Sequence, residues 1–194
     1  MRPLKLEEYM MNQLKHKVAV VTGVSRLDGI GAAICKELAE AGYDIFFTYW
    51  TEYDKEMPWG VDQREQIQLQ EELLKNGVKV SSMELDLTQN DAPKELINKV
   101  TEQLGYPHIL INNAAYSTNN DFSNLTAEEL DKHYMVNIRA TTLLSSQFAR
   151  GFDKQSGGRI GEPKDAARLI KFLVSEEAEW ITGQVIHSEG GFKR

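Results

Sequence analysis

The most constraining stretch of the chain is Lys17 to Gly31, KVAVVTGVSRLDGIG, in which an apolar run turns through glycines into a helical pattern. Val18, Ala19, Val20 and Val21 are continuously apolar. A strand exposed on one face would alternate, so the run predicts a parallel strand covered on both faces. Thr22 and Gly23 end it, and from Ile30 the residues Ile30, Ile34 and Leu38, with Ala33 and Ala41 alongside, have the spacing of one helix face. A helix start presents unpaired N–H groups and the positive end of its dipole, which together suit a phosphate. Gly23, Gly29 and Gly31 would let the backbone approach such an anion and let the helix pack closely on the strand.

The same alternation of strand and helix continues. Asp44 to Tyr49 (DIFFTY) is rich in β-formers, Val78 to Leu85 predicts a third strand, and Ile109 to Ile111 begins a fourth. Thr51 to Gly60, with Pro58 and Gly60 as breakers, reads as a surface loop whose aromatics could cover the base of a bound nucleotide, packing of Trp59 on a helix being the favoured alternative. Val61 to Asn76 predicts a charged helix with Ile67 and Leu74 inward, and Asp91 is placed to cap a helix with Leu96, Ile97, Val100 and Leu104 on its apolar face. Gly42, Gly77 and Gly105 stand where helices stop. Thr126 and Glu129 make a capping-box start for a long helix to about Arg150. Asn137 lies inside it among Met135, Val136 and Ile138, where asparagine is a poor helix former and asks for a reason.

Thr22-Gly23 followed by Gly29-Ile30-Gly31 resembles the TGxxxGxG fingerprint of the short-chain dehydrogenase/reductase family, with five residues (Val24 to Asp28) where the usual pattern has three. Asn112-Asn113-Ala114-Ala115 resembles the family's NNAG signature with Ala115 in place of glycine, and His108 stands where an aspartate is usual. The segment HYMVNIRATTLLSSQFA is similar to the helix that supplies the family's catalytic asparagine, here Asn137. The resemblance implies an α/β Rossmann-type doubly wound parallel sheet, strand order 3-2-1-4, with its far half incomplete. It also implies cofactor contacts from Gly23, Ser25, Arg26, Gly29, Ile30, Gly31, Asp86, Leu87, Asn113 and Ala114. Thr48, Tyr49 and Trp50 place no carboxylate at the end of the second strand, and Arg26 resembles the arginine of NADP-preferring members, so NADP(H) is favoured over NAD(H). Asp86 stands where the family touches the adenine amine, although an aspartate after a strand also caps turns.

The resemblance breaks at one place. Gly157-Gly158-Arg159-Ile160 would open the fifth strand of an ordinary member, leading to a catalytic serine, a Tyr-x-x-x-Lys helix and a sixth strand. Here it runs into Gly161-Glu162-Pro163-Lys164-Asp165, which resembles the later GRIGEP-D stretch before the final helix. The seven tyrosines are followed four residues later by Gln13, Phe47, Tyr53, Met57, Leu110, Asn120 and Ile138, none of them lysine. Asn137 is the one catalytic residue of the family that remains. Beyond the junction, Pro163 opens a helix with Ala166, Leu169, Ile170 and Leu173 inward, and Ile181 to His187 resembles the last strand.

Residues 1–11 thus read as an N-terminal extension and 12–194 as a single dinucleotide-binding domain with an internal deletion near 160–161. The resemblance implies an oxidoreductase carrying out NADP(H)-dependent reduction of a carbonyl, most like the 3-oxoacyl-carrier-protein reductases. The alternatives are a catalytically inactive deletion form, a nucleotide-binding regulatory protein, or an enoyl reductase-like member, the last suggested by the long glycine loop. The substrate implied is a small molecule or acyl thioester, and the assembly a homo-oligomer, dimer or tetramer, if the full family fold is present.

Composition narrows the partners. A net charge of −7, from 22 Lys and Arg against 29 Asp and Glu, argues against nucleic acid or an anionic membrane. A single cysteine, Cys35, excludes an intramolecular disulfide, and His16, His108, His133 and His187 lack close ligand spacing, so no metal is expected. No apolar run approaches the roughly 20 residues of a membrane helix, and the expected location is cytoplasmic.

Overall fold

Three of the four strands of the described sheet, VAVV, DIFFTY and ILI, are set by apolar runs, whereas the third in chain order, VSSME, is not. The computed structural model describes residues 17–62, 64–118, 123–151, 163–184 and 186. Strand β1 (Val18–Val21) is buried throughout and lies between β2 (Asp44–Tyr49) and β4 (Ile109–Ile111), with β3 (Val80–Glu84) outside β2. All pairings are parallel and the order is β3-β2-β1-β4, as expected from the sequence. The helices are α1 (Ile30–Glu40), α2 (Thr51–Glu56), α3 (Arg64–Leu74), α4 (Ala92–Gln103), α5 (Ala127–His133), α6 (Thr141–Gly151) and α7 (Pro163–Leu173).

Successive side chains of a strand point to opposite faces, and the two cores divide accordingly. On one face Ala19, Val21, Ile45 and Phe47 pack with Ala32, Cys35 and Ala39 of α1 and with Leu69 and Leu73 of α3. On the other, Val18, Val20 and Phe46 pack with Leu96, Ile97 and Val100 of α4 and with Leu144 of α6. The result is a Rossmann-type layering of helices on both sides of a parallel sheet. His108 extends the β1–β4 ladder by one pairing. Its backbone N–H donates to the Val18 carbonyl at 2.8 Å, while its ring Nδ1 accepts from the Val18 N–H at 3.2 Å.

Several helix faces differ from the sequence expectation. In α1 the buried residues are Gly31, Ala32, Cys35 and Ala39, whereas Ile30 is 76% exposed. Small residues face the sheet because the helix approaches it closely, and Ile34 and Leu38 pack at the margin of that core. In α3, Gln66, Leu69 and Leu73 turn inward, and Ile67 and Leu74 are exposed. A polar Gln66 is tolerated there because its amide donates to the Ser25 carbonyl at 2.8 Å. Thr51 to Glu56 is helical rather than a loop, its first N–H bonded to Glu84 of β3 at 3.1 Å. Asp91 begins α4 without a side-chain cap, its backbone carbonyl accepting from Glu95 instead. The long helix expected to about Arg150 is interrupted between α5 and α6 by a π-helical segment, Tyr134–Ala140, with Asn137 at its centre.

The chain divides into two units, residues up to Gly151 and residues from Phe152 on. In the second, α7 is followed by a 3₁₀ turn, Glu176–Ala178. Of the residues expected inward, Leu169 is half-buried, while Ala166, Ile170 and Leu173 are exposed, and Trp180 is 94% exposed. Ile181 to Gln184 is not a strand. The described residues of this unit contain no strand on which the apolar face of α7 could lie. The Gly157–Gly161 junction, residues 1–11 and His187 lie outside the described residues.

Burial of Cys35 pushes its thiol up to about 12, which marks it as an unreactive packing residue. The face of α3 is open to a direct check. Leu69→Ala is expected to cost about 2–5 kcal/mol, and Ile67→Ala to change stability by no more than about 0.5 kcal/mol, both read from urea unfolding.

Candidate functional site

The loops that follow β1, β2, β3 and β4 meet at the carboxyl ends of the strands, where open α/β sheets place their ligand crevices. They enclose a cleft of about 650 Å³. Gly23, Ser25, Arg26, Gly29, Ile30, Gly31, Asp86, Leu87, Asn113 and Ala114 all line it. Ten residues from three separate loops are therefore brought to one wall. Asn137 is not on that wall, although its neighbour Val136 is.

The glycine loop is tied to β4 by Asn113. Its side-chain amide donates to the carbonyls of Thr22 and Gly23, both at 2.9 Å. In return, the Thr22 hydroxyl accepts from the N–H groups of Asn113 and Ala114 at 3.1 Å. The geometry leaves no room for side chains on two glycines. A Cβ on Gly23, which has φ of +72°, would lie 2.5 Å from Ala114 Cα, and one on Gly31 would lie 2.8 Å from Asn113 Nδ2. Gly29 begins α1 without a side-chain cap, and Gly29, Ile30, Gly31 and Ala32 all face the cleft. The first turn of an uncapped helix at a cleft wall is suited to an anion such as a dinucleotide pyrophosphate. The residues present fit such a group.

The five-residue insert between Gly23 and Gly29 is held from outside. Glu65 of α3 accepts from the Leu27 N–H at 2.6 Å, and Gln66 holds the Ser25 carbonyl. The Arg26 guanidinium lies over the Trp59 ring, 4.4 Å from its centroid. Trp59 in turn donates from Nε1 to Asp54 at 3.0 Å. Trp59 thus packs on a helix, as the sequence suggests, with Tyr53 and Asp54 of α2 as its partners, and it carries a loop cation on its ring as well.

At the next strand end, Asp86 caps its own turn. One carboxylate oxygen accepts from the Thr88 N–H at 2.9 Å and hydroxyl at 2.7 Å, and the other from Gln89 at 2.7 Å. Burial pushes the Asp86 carboxyl up, but the donations from Gln89 and Thr88 outweigh it and hold it below the ordinary carboxylate range. Arg139 from the π-helical segment reaches the Thr88 carbonyl of this turn at 3.3 Å.

Asn137 explains its own position in a helix. Its Oδ1 accepts from the Tyr116 N–H at 2.8 Å and its Nδ2 donates to the Tyr116 carbonyl at 2.9 Å, so the amide clamps the chain that leaves β4. The Tyr116 hydroxyl donates to Glu129 at 3.2 Å, and burial, with the Glu129 charge, pushes the phenol up to about 12. Glu129 also accepts from Thr118, so the carboxylate serves Tyr116 and Thr118 while Thr126 caps α5 through the Glu129 N–H at 3.2 Å. Across the cleft, the Tyr53 hydroxyl donates to the Ser117 carbonyl at 3.1 Å, and the Tyr53 and Tyr116 rings are 5.6 Å apart. Tyr53, Trp59, Tyr116 and Lys132, all on the cleft wall, were missed as site residues because no motif spacing marks them. Among the described residues no group of three or more His, Cys, Asp or Glu could hold a metal ion, and no helix is long and apolar enough to cross a membrane.

Comparison with known proteins agrees with this architecture. The family model for short chain dehydrogenase matches residues 17–161. An uncharacterized oxidoreductase of Bacillus subtilis, YjdA, is 34% identical over 259 positions, which take in 95% of this chain and 100% of the relative. Since this chain has 194 residues, at least 65 of those positions, the difference between 259 and 194, have no counterpart in it. A 3-oxoacyl-[acyl-carrier-protein] reductase, FabG, of Staphylococcus epidermidis is 31% identical over 252 positions, covering 91% of this chain and 98% of the relative. Among solved structures, a short chain dehydrogenase from Burkholderia cenocepacia in complex with NADP matches with a TM-score of 0.62 at 31% identity, over 72% of this chain and 52% of that one. A short-chain dehydrogenase/reductase from Serratia marcescens matches with a TM-score of 0.60 at 31% identity, over 71% and 51%. The chain therefore spans about half the length of the solved structures it resembles. With a family model matched over most of its length and its sheet, glycine loop and asparagine pair in the corresponding order, the chain belongs to the short-chain dehydrogenase family.

Proposed function

We propose that the cleft binds NADP(H) and that the framework is that of an oxidoreductase acting on a carbonyl, a 3-oxoacyl thioester or a related compound. The observation that carries this reading is the meeting of the uncapped α1 terminus, the Asn113 tie and Arg26 on one wall. The pyrophosphate would lie against Gly29 to Gly31, the adenine beside Asp86 and Leu87, and the nicotinamide half toward Asn113, Ala114 and Asn137. The chemistry such a cofactor supplies is transfer of a hydride to a carbonyl carbon. NADP complexes among the similar solved structures support the choice of cofactor, and the reductase FabG supports the substrate class.

Turnover requires more than this chain holds. The family's tyrosine gives a proton to the substrate oxygen and needs a neighbouring lysine to lower its pKa. No tyrosine here has a lysine four residues on. Tyr116 is no substitute, because a phenol pushed up to about 12 is held the wrong way for proton transfer near neutral pH. Asn137 is already committed to the Tyr116 backbone. We therefore read the 194-residue chain as a cofactor-binding form without hydride transfer, with an internal deletion near 160–161. That reading is supported by the positions of the Bacillus relative that have no counterpart in it. The longer glycine loop is compatible with an enoyl reductase-like relative, and turnover by the full-length form on ketone and enoyl thioesters separates the two.

Three outcomes check the proposal. The purified chain should have an intact mass of 22.0 kDa and bind NADPH in a fluorescence titration, with no oxidation of NADPH in the presence of an acetoacetyl thioester. A larger mass with turnover would show a complete enzyme instead. Arg26→Ala should lower the NADPH:NADH affinity ratio by about tenfold, the loss of one charge-assisted phosphate contact of about 1.4 kcal/mol or more. An unchanged ratio removes the preference for NADP(H). Gly31→Ala should cost about 1–3 kcal/mol of stability through overpacking against Asn113 and Val24. It should also weaken NADPH binding, and unfolding curves with and without NADPH read both effects.

A further inference from the structure

Arg26 is a long side chain on a loop, and by itself it would spread its charge over many rotamers. Two features restrict it. Its guanidinium rests on the Trp59 indole at 4.4 Å, and the indole is locked from behind by the Nε1 bond to Asp54 at 3.0 Å. Asp54 is only 6% exposed, so this carboxylate is a fixed anchor rather than a solvated neighbour. Among the described residues Arg26 forms no ion pair, and it stands on the rim between the cleft and a smaller hollow that it shares with Asp28, Asp54, Asp62 and Glu65.

The surroundings make this placement matter. Glu52 and Glu56 line the same end of the cleft, beside Thr48 and Tyr49 at the end of β2. A phosphate carried on the adenosine ribose would meet these carboxylates unless a cation is held in front of them. Lys55, on the same helix, is paired with Glu52 and does not serve. The indole face therefore decides whether Arg26 is available at that point or sweeps through solvent. No motif of the family resemblance includes the Asp54–Trp59 pair, which lies in the segment after β2.

We propose that Trp59, anchored by Asp54, is a positioning residue that holds Arg26 at the adenosine end of the cleft and so sets the preference for a dinucleotide bearing a ribose phosphate over one without it. The inference rests on the NADP(H) reading of the cleft. For a cation on a half-exposed aromatic face the effect on the preference is about two- to fivefold.

The test is calorimetric titration of the 194-residue chain with NADP⁺, NAD⁺, 2′,5′-ADP and 5′-AMP. Trp59→Ala should lower the NADP⁺:NAD⁺ and 2′,5′-ADP:5′-AMP affinity ratios by about two- to fivefold, the loss falling mainly on the phosphate-bearing ligand of each pair. Trp59→Phe, which keeps a ring face, should restore most of the ratio. In an Arg26→Ala background, Trp59→Ala should change the ratio no further. Equal loss of all four ligands, or an unchanged ratio with Arg26→Ala still effective, overturns the positioning role and leaves the reading of the cleft intact. Failure of the parent chain to bind any of the four overturns both. Because Trp59 is 46% exposed, its replacement should leave the unfolding midpoint close to that of the parent, which is checked alongside.

Discussion

The site depends on the Asn113 amide, which holds the carbonyls of Thr22 and Gly23 and so fastens the end of β4 to the turn after β1. Asn113 is half-buried, and its amide is bonded to two backbone carbonyls at the end of β1, one of them on the buried Thr22. The tie works only because Gly31 has no side chain: the space a Cβ would take is filled by Asn113 and Val24. Strand spacing, helix approach and the opening of the cleft are thus set at a single contact. The glycines and asparagines recognised as separate motifs are two halves of one joint.

Around that joint, burial falls off toward the outer strands of the described sheet. β1 is buried along its length, whereas β4 and β3, the outer strands of the described sheet, are only half-buried. The loop ends of these strands are stiffened by side chains instead: Asp86 on Thr88 and Gln89, Asn137 on Tyr116, Gln66 on Ser25. Each such bond adds on the order of 1 kcal/mol and, more to the point here, fixes the direction of a loop that carries a cleft residue. The π-helical segment at Asn137 belongs to the same group. An asparagine that must reach two groups of one neighbouring residue, a donor and an acceptor, is accommodated by a local change in helical pitch, and such segments recur at functional sites.

Much of this was legible in the sequence, and the exceptions have physical causes. Continuous apolar runs define β1, β2 and β4 without ambiguity, because only strands covered on both faces need them. Eight cleft residues were legible because the glycine and asparagine spacings are tied to backbone geometry, and Asp86 and Leu87 because they follow a strand. The faces of α1 and α3 were not, since periodicity treats Ile30 and Ile67 as core residues when the close-packed interface with the sheet accepts alanine, cysteine and a bonded glutamine. α2 was hidden by its polar and aromatic composition, its stabilising partner Glu84 lying 33 residues away. Trp59 and Tyr53 escaped for the same reason: what defines them is a contact across the chain, not a spacing within it.

The division between what is present and what is missing follows the architecture of the sheet. The groups that line the cleft come from the ends of β1, β2, β3 and β4 and from the start of α1, all within the first unit of the chain. The groups that move a proton in the family come from the segment that would follow β4 and its long helix, where this chain passes from Gly157-Gly158-Arg159-Ile160 to Gly161-Glu162-Pro163. A loss confined to that point removes chemistry while leaving the Asn113 joint, the glycine loop and the Arg26–Trp59 contact untouched, since none of them depends on a residue beyond Ala114. On the proposed reading, cofactor binding and turnover separate because the contacts that support the first all precede the junction in sequence.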